Sequence, residues 1–283
     1  LLALARETPP RGGRAAAPRP GPLAALGGAA QAAWAEARRT LAFLGEVTLS
    51  IGRLARGRAQ FGRAEFAALL REVGWDALPV AALVSLLVGA ILAFVGAVQL
   101  QTFGAQVFVA DLVGLAMARD IGAMMTAIVI AGRTGAAYAA RIGTMQAAEE
   151  IDALRTLALD PVDVLATPRI LALLLMTPVL VLYADVIGIV GGALVGANLP
   201  GVTLAGYWVR TVEALSFGDV LGGLFKGGVY GGLVGFAGCL RGLQCGRSAA
   251  AVGAATTSAV VTGIVYVIAA AALLTMIFHV LEI

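Results

Sequence analysis

The sequence predicts an all-α integral membrane protein: N-terminal interfacial helices, five transmembrane helices, and a short helix in a cytoplasmic loop. Three observations carry that prediction. Hydrophobic residues make up 60% of the chain and charged residues only 13%, against about 25% charge in an ordinary soluble domain. Several apolar runs reach the roughly 20 residues that a span requires. The arginines are segregated along the chain, as the positive-inside rule demands.

Taken in order, residues 8–22 hold five of the ten prolines and three arginines, the composition of a flexible linker. We assign 1–22 to such a linker, the tail of a further upstream domain. From 23 to 76 apolar residues recur at helical spacing among arginines, among them Trp34, Leu41, Leu44, Phe61 and Leu69. No uncharged run there is long enough to cross a bilayer, so this stretch reads as amphipathic helices lying at the interface. The membrane domain is 77–283. Ala77 to Ala110 is free of charge, enough for a span at about 77–100 and a turn-rich outer segment. Ile121–Ala140 is the second span, bounded by Arg119-Asp120 and Arg141 and containing Arg133. Ile170–Ala197, with Asp185, and Gly218–Leu240, with Lys226, are the third and fourth. Ser248–Phe278 is charge-free and is the fifth.

If the N-terminus is cytoplasmic, the inner segments hold Arg53, Arg56, Arg58, Arg63, Arg71, Arg141, Arg155, Arg169, Arg241 and Arg247, and the outer ones only Arg119 and Arg210. An inside N-terminus and outside C-terminus follow. The net charge of +3 is therefore topology rather than a nucleic-acid footprint. Cys239 and Cys245 form no CxxC pair and read as small packing residues.

Gly223, Gly227, Gly231 and Gly235 recur at four-residue spacing in the fourth span. That spacing puts them on one face, where another backbone can approach closely. The second span repeats the device with Ala131, Gly135, Ala139 and Gly143. Arg133, Asp185 and Lys226, and near the outer edge the Arg119-Asp120 pair, lie at membrane depth, where charge is costly and usually faces a protein interior or a wet cavity. Two readings stand side by side for them: a polar lining that meets a lipid headgroup, or ion pairs that fix helix packing. Lys226, the sole lysine, sits among glycines and leans toward a cavity.

Between the second and third spans, residues 146–158 suit a short helix stopped before Pro161, with Ile151, Leu154 and Leu157 as an apolar stripe. Acidic groups beside that stripe suit a docking element for a cytoplasmic partner better than a surface resting on anionic lipid. There is no GxxxxGK[ST], the lysine is followed by Gly227, and the one histidine, His279, is nearly terminal. These facts exclude a Walker A site, a Ser-His hydrolase and a His-ligated metal centre, so the chain reads as a non-catalytic subunit.

The block RDIGAMMTAIVIAGRTGAAYAARIGTMQAAEEIDALRTLALDPVDVLATPR, residues 119–169, resembles the MlaE/YrbE family of ABC transporter permeases. The run LFKGGVYGGLVGFAGCLRGL and the later AVGAATTSAVVTG resemble the same family's last two spans. The resemblance implies a homodimer in the bacterial inner membrane that moves phospholipids or related lipids between that membrane and the outer envelope. It implies partners: cytoplasmic ABC ATPase subunits, a periplasmic MCE-domain substrate-binding protein, and for some members a STAS domain. It implies that ATP and magnesium are held by the ATPase, with no cofactor in this chain. The loop helix would be the coupling helix, with Glu149, Glu150, Asp152 and Arg155 beside Leu154 on the contact side. Positions matching the family's cavity and gate are Leu92, Phe103, Arg119, Asp120 and Lys226. The chain departs from the family at Arg119-Asp120-Ile121-Gly122-Ala123, where Arg-Glu-x-Gly-Pro is usual, and at Ala271, where an acidic residue is common.

A rival of another class is an ion- or proton-coupled secondary carrier using Asp185 and Lys226, which would need no docking helix. A membrane scaffold would bind no ligand at all.

Overall fold

A computed structural model describes residues 22–57, 61–198 and 202–281; the linker, apart from Pro22, and Arg58 lie outside the described residues. The described chain is helical, and five of its helices are long and apolar enough to cross a membrane. It divides into two units, 1–45 and 46–283. The described part of the first is the beginning of α1 (Pro22–Ala55), whose Trp34 and Leu41 are exposed.

In the second unit, α2 (Arg63–Gly74) passes through a short 3₁₀ turn, Trp75–Ala77, into α3 (Leu78–Gln101). Pro79 lies in the first turn of α3, where a missing backbone N–H costs nothing. Gly104 ends α3 at φ +66°, with Ala105 N–H donating back to the Leu100 carbonyl at 2.9 Å, the left-handed close that glycine permits.

The second span is longer than the sequence predicts. Helix resumes at Gln106 and continues to Ala147 as α4 (Val109–Ala116), a π turn (Met117–Ile121), α5 (Gly122–Ile130), a second π turn (Ala131–Gly135) and α6 (Ala136–Ala147). Arg119, Asp120 and Arg141 lie inside this helix rather than at its ends, because side chains from elsewhere in the fold pair with them.

The loop helix α7 spans Glu150–Thr156 and is shorter than the predicted 146–158. Glu149 at φ +61° breaks the chain between α6 and α7, and Ala158 at φ +59° closes α7 with the same backbone pattern that Gly104 gives α3. Neither residue type favours that region, so the sequence carries no signal for either break.

The third span is a π turn, Val162–Ala166, leading into α8 (Thr167–Gly196), and α8 is the hub of the bundle. A Cβ on Gly89 of α3 would fall on the Gly188 carbonyl, and one on Gly191 would fall on the Leu86 carbonyl. The two backbones touch, which small residues alone allow. An unpredicted helix, α9 (Leu204–Ala214), follows, capped by Thr203. Its Tyr207 is sealed under Gly192 and Gly196, and burial pushes its hydroxyl up to about 12. α10 (Phe217–Leu243) opens with a capping box of Ser216 and Asp219, and α11 (Ala249–Val280) with a Ser248 cap.

On α10 the four spaced glycines face neighbours within the same chain. Gly223 lies against the Ala118 carbonyl, Gly227 against Val181, Gly231 against Thr177, and Gly235 against Ile170. The second stripe meets α10, the turn after it and the start of α11: Gly135 contacts Val234, and Gly143 contacts Cys245 and Val252.

Candidate functional site

Two clusters of charge lie at opposite ends of the spans. The first is built by the close contact of Gly223 with the π turn, which brings the next helical turn of α10 over that segment. Lys226 Nζ donates to the Arg119 carbonyl at 3.1 Å, to Asp120 Oδ1, and to Thr275 Oγ1 of α11 at 3.3 Å. The Phe278 ring centroid lies 5.1 Å from Nζ. Thr275 Oγ1 donates to the same Asp120 oxygen at 2.8 Å. Lys226 is 0% exposed, whereas the Asp120 side chain is 38% exposed. Arg119 reaches Asp219 at 3.3 Å, so one carboxylate both caps α10 and pairs with the π turn.

Arg119, Asp120 and Lys226 thus come together, and within this one chain the lysine is sealed by three acceptors. The other positions assigned to the cavity lie elsewhere. Arg133, on the second π turn, pairs with Asp76 at 3.4 Å, one step from the Arg141–Glu72 pair. Leu92 packs against a core of Ala93, Val113, Met117 and Tyr207. Phe103 sits in the turn after α3 and is highly exposed. Asp185 is buried against Gly122, and among the described residues neither a hydrogen bond nor an ion pair joins it to Lys226. The spacing of the sequence did not single out Thr275, Phe278 or Asp219. The Ser216-x-x-Asp219 pattern is a recognisable capping box and could have pointed to the last.

The second cluster surrounds α7. Ile151 is buried, Leu154 is half-buried, and Leu157 is 70% exposed. Arg247, in the turn between α10 and α11, donates to Glu149 at 3.1 Å and to Asp152 at 2.7 Å. Asp152 also accepts from Arg155 at 3.2 Å. Of the acidic residues assigned to the contact side, Glu149 and Asp152 are therefore engaged within the chain. Glu150 is exposed and has no partner among the described residues. Where α7 joins the third span, Arg53 pairs with Asp160 at 3.2 Å and Asp163 at 2.5 Å. The Asp163 hydrogen bond, with the two carboxylate charges, holds the Arg53 guanidinium above its ordinary value.

The profile of the family described as Permease MlaE matches residues 66–277. The chain is 38% identical to a probable ABC transporter permease protein of Rickettsia conorii, over 73% of this chain and 80% of that protein. It is 32% identical to the intermembrane phospholipid transport system permease protein MlaE of Haemophilus influenzae, over 70% of this chain and 78% of that one. It is also 33% identical to the chloroplastic protein TRIGALACTOSYLDIACYLGLYCEROL 1 of Arabidopsis thaliana, over 69% of this chain and 56% of that one. The matched region runs from α2 to α11 and takes in Asp120, Lys226, α7 and Arg247 but not Arg53, and the chain belongs to the MlaE permease family of ABC transporters.

Proposed function

We propose that this chain is the permease subunit that moves phospholipids or related lipids between the bacterial inner membrane and the outer envelope, driven by a separate ATPase. It works as a homodimer with its N-terminus and α7 in the cytoplasm, its C-terminus in the periplasm, and an MCE-domain protein on the periplasmic side. A STAS-domain partner is a further element of the proposal. The similarity to a phospholipid-transport permease supports the substrate class.

The observation that carries the ATPase reading is the state of α7. A seven-residue helix between two spans buries Ile151, turns an unpaired carboxylate, Glu150, outward and ends on an exposed leucine, Leu157, at its C-cap. Residues seven apart share a helix face, so the pair offers an apolar contact with a charged rim. The secondary-carrier reading has less support, since Asp185 and Lys226 share no contact that could relay a proton.

Replacing Glu150 with Arg and Leu157 with Asp leaves every span intact. The expected result is a folded membrane protein from which the ATPase no longer co-purifies and which has lost ATP-dependent lipid transfer. Wild-type transfer by the double variant would refute the coupling assignment.

A further inference from the structure

The segment joining α7 to α8 is jointed. It contains Ala158 in the left-handed region, Pro161, and the π turn Val162–Ala166. A displacement of α7 would be absorbed in such a segment unless something stiffened it. The last turns of α1 meet it at two points. Arg53 Nη2 bonds both Asp160 and Asp163, the carboxylates on either side of Pro161, and the Asp163 side chain is only 7% exposed. One helical turn earlier, the Ser50 hydroxyl lies 2.6 Å from that of Thr167, the first residue of α8, and both are buried. Ser50 and Arg53 are three apart and so share a face of α1. Asp160 also accepts from the Val162 N–H at 3.0 Å, which ties the strapped carboxylate into the start of the π turn.

We infer that Arg53 is a positioning residue: it straps the end of α1 across the joint between the coupling helix and the third span, so that a push on α7 reaches α8. The inference rests on the reading of α7 as the ATPase contact. Without the strap, α7 still docks the ATPase through Glu150 and Leu157, and ATP is still hydrolysed, but the stroke is lost in the loop. A single guanidinium nitrogen, Nη2, makes both bonds, and an arginine keeps its charge beside them because a guanidinium stays protonated.

The test uses the intact complex in vesicles carrying fluorescently labelled phosphatidylethanolamine, with lipid moved per ATP hydrolysed as the readout. For Arg53→Gln the ATPase should co-purify as in wild type while lipid per ATP falls roughly five- to hundredfold, the span of typical coupling between sites. Arg53→Lys should recover part of the loss. A second variant replaces the hydrogen-bonded hydroxyls by a disulfide, Ser50→Cys with Thr167→Cys, in a background where Cys239 and Cys245 are alanine. Oxidation should leave transport intact and should restore it in Arg53→Gln; reduction should remove the rescue. An unchanged ratio in Arg53→Gln overturns the inference. So does a cross-linked wild type that no longer transports, because α1 would then have to leave the joint during the cycle. A wild-type complex that holds no ATPase overturns the permease reading and the strap together, whereas wild-type coupling in Arg53→Gln overturns the strap alone.

Discussion

Lys226 and Arg247 are both cations that pair with acidic residues on a distant segment, yet the first is fully buried and the second is 60% exposed. At Lys226, three acceptors from two segments close around one ammonium among glycines. At Arg247, two carboxylates on the edge of α7 are held by a side chain that water also reaches. Exposed pairs are worth about 0–1 kcal/mol, while breaking a buried pair by removing one partner costs about 3–5 kcal/mol. The sealed cluster therefore behaves as a rivet between α10, α11 and the first π turn. The open cluster can be broken and remade at little cost, which suits the docking role proposed for α7.

The widest separation between the two clusters should come from stranding the buried cation. Asp120→Asn leaves Lys226 without its counter-ion and should destabilise the protein by about 3–5 kcal/mol, read as a shift in chemical unfolding in mild detergent. Lys226→Met should cost less, about 1.5–3 kcal/mol for lost charged hydrogen bonds, because Asp120 is 38% exposed and can rehydrate. If the order were reversed, Lys226 would not be the sealed member of the pair.

Packing comes next in size. A Cβ at Gly231 would overlap Thr177, and one at Gly132 meets nothing within 4 Å. Gly231→Ala should cost about 1–3 kcal/mol by overpacking, whereas Gly132→Ala should leave stability unchanged or raise it slightly, since alanine favours a helix. Equal melting temperatures for the two variants would mean that α10 does not lie against α8 at this level.

The smallest effect should be at the open cluster. Arg247→Ala should change unfolding by less than about 1 kcal/mol yet reduce the amount of ATPase that co-purifies, because α7 loses the clamp on its first turn. A large loss of stability with normal ATPase binding would make Arg247 a structural residue like Lys226.

The third, fourth and fifth spans were legible because their charge is absent or confined to one or two residues, and hydropathy decides such runs without any tertiary knowledge. The second was read short because Arg119-Asp120 and Arg141 looked like membrane edges. Their partners, Lys226, Asp219 and Glu72, are 69 to 106 residues away, and no local pattern reveals a pairing at that distance. α9 went unread because it is short and mixes Arg210 and Glu213 with apolar residues. Lys226 stood out by its chemistry alone, but Thr275, which shares its carboxylate, is one hydroxyl in an apolar run. The ends of α7 depend on Glu149 and Ala158 in a backbone region that their side chains do not advertise.

The two π turns of the second span bear on how that span can move. A π turn is an α-helix that has taken in one extra residue, and here two such turns bracket the nine residues of α5. Tightening one of these turns to α geometry would turn α5 by about 100° against that end of the span and shift it by about 1.5 Å. Gly122, which now faces Asp185, would then turn away, and a different side of α5 would meet α8.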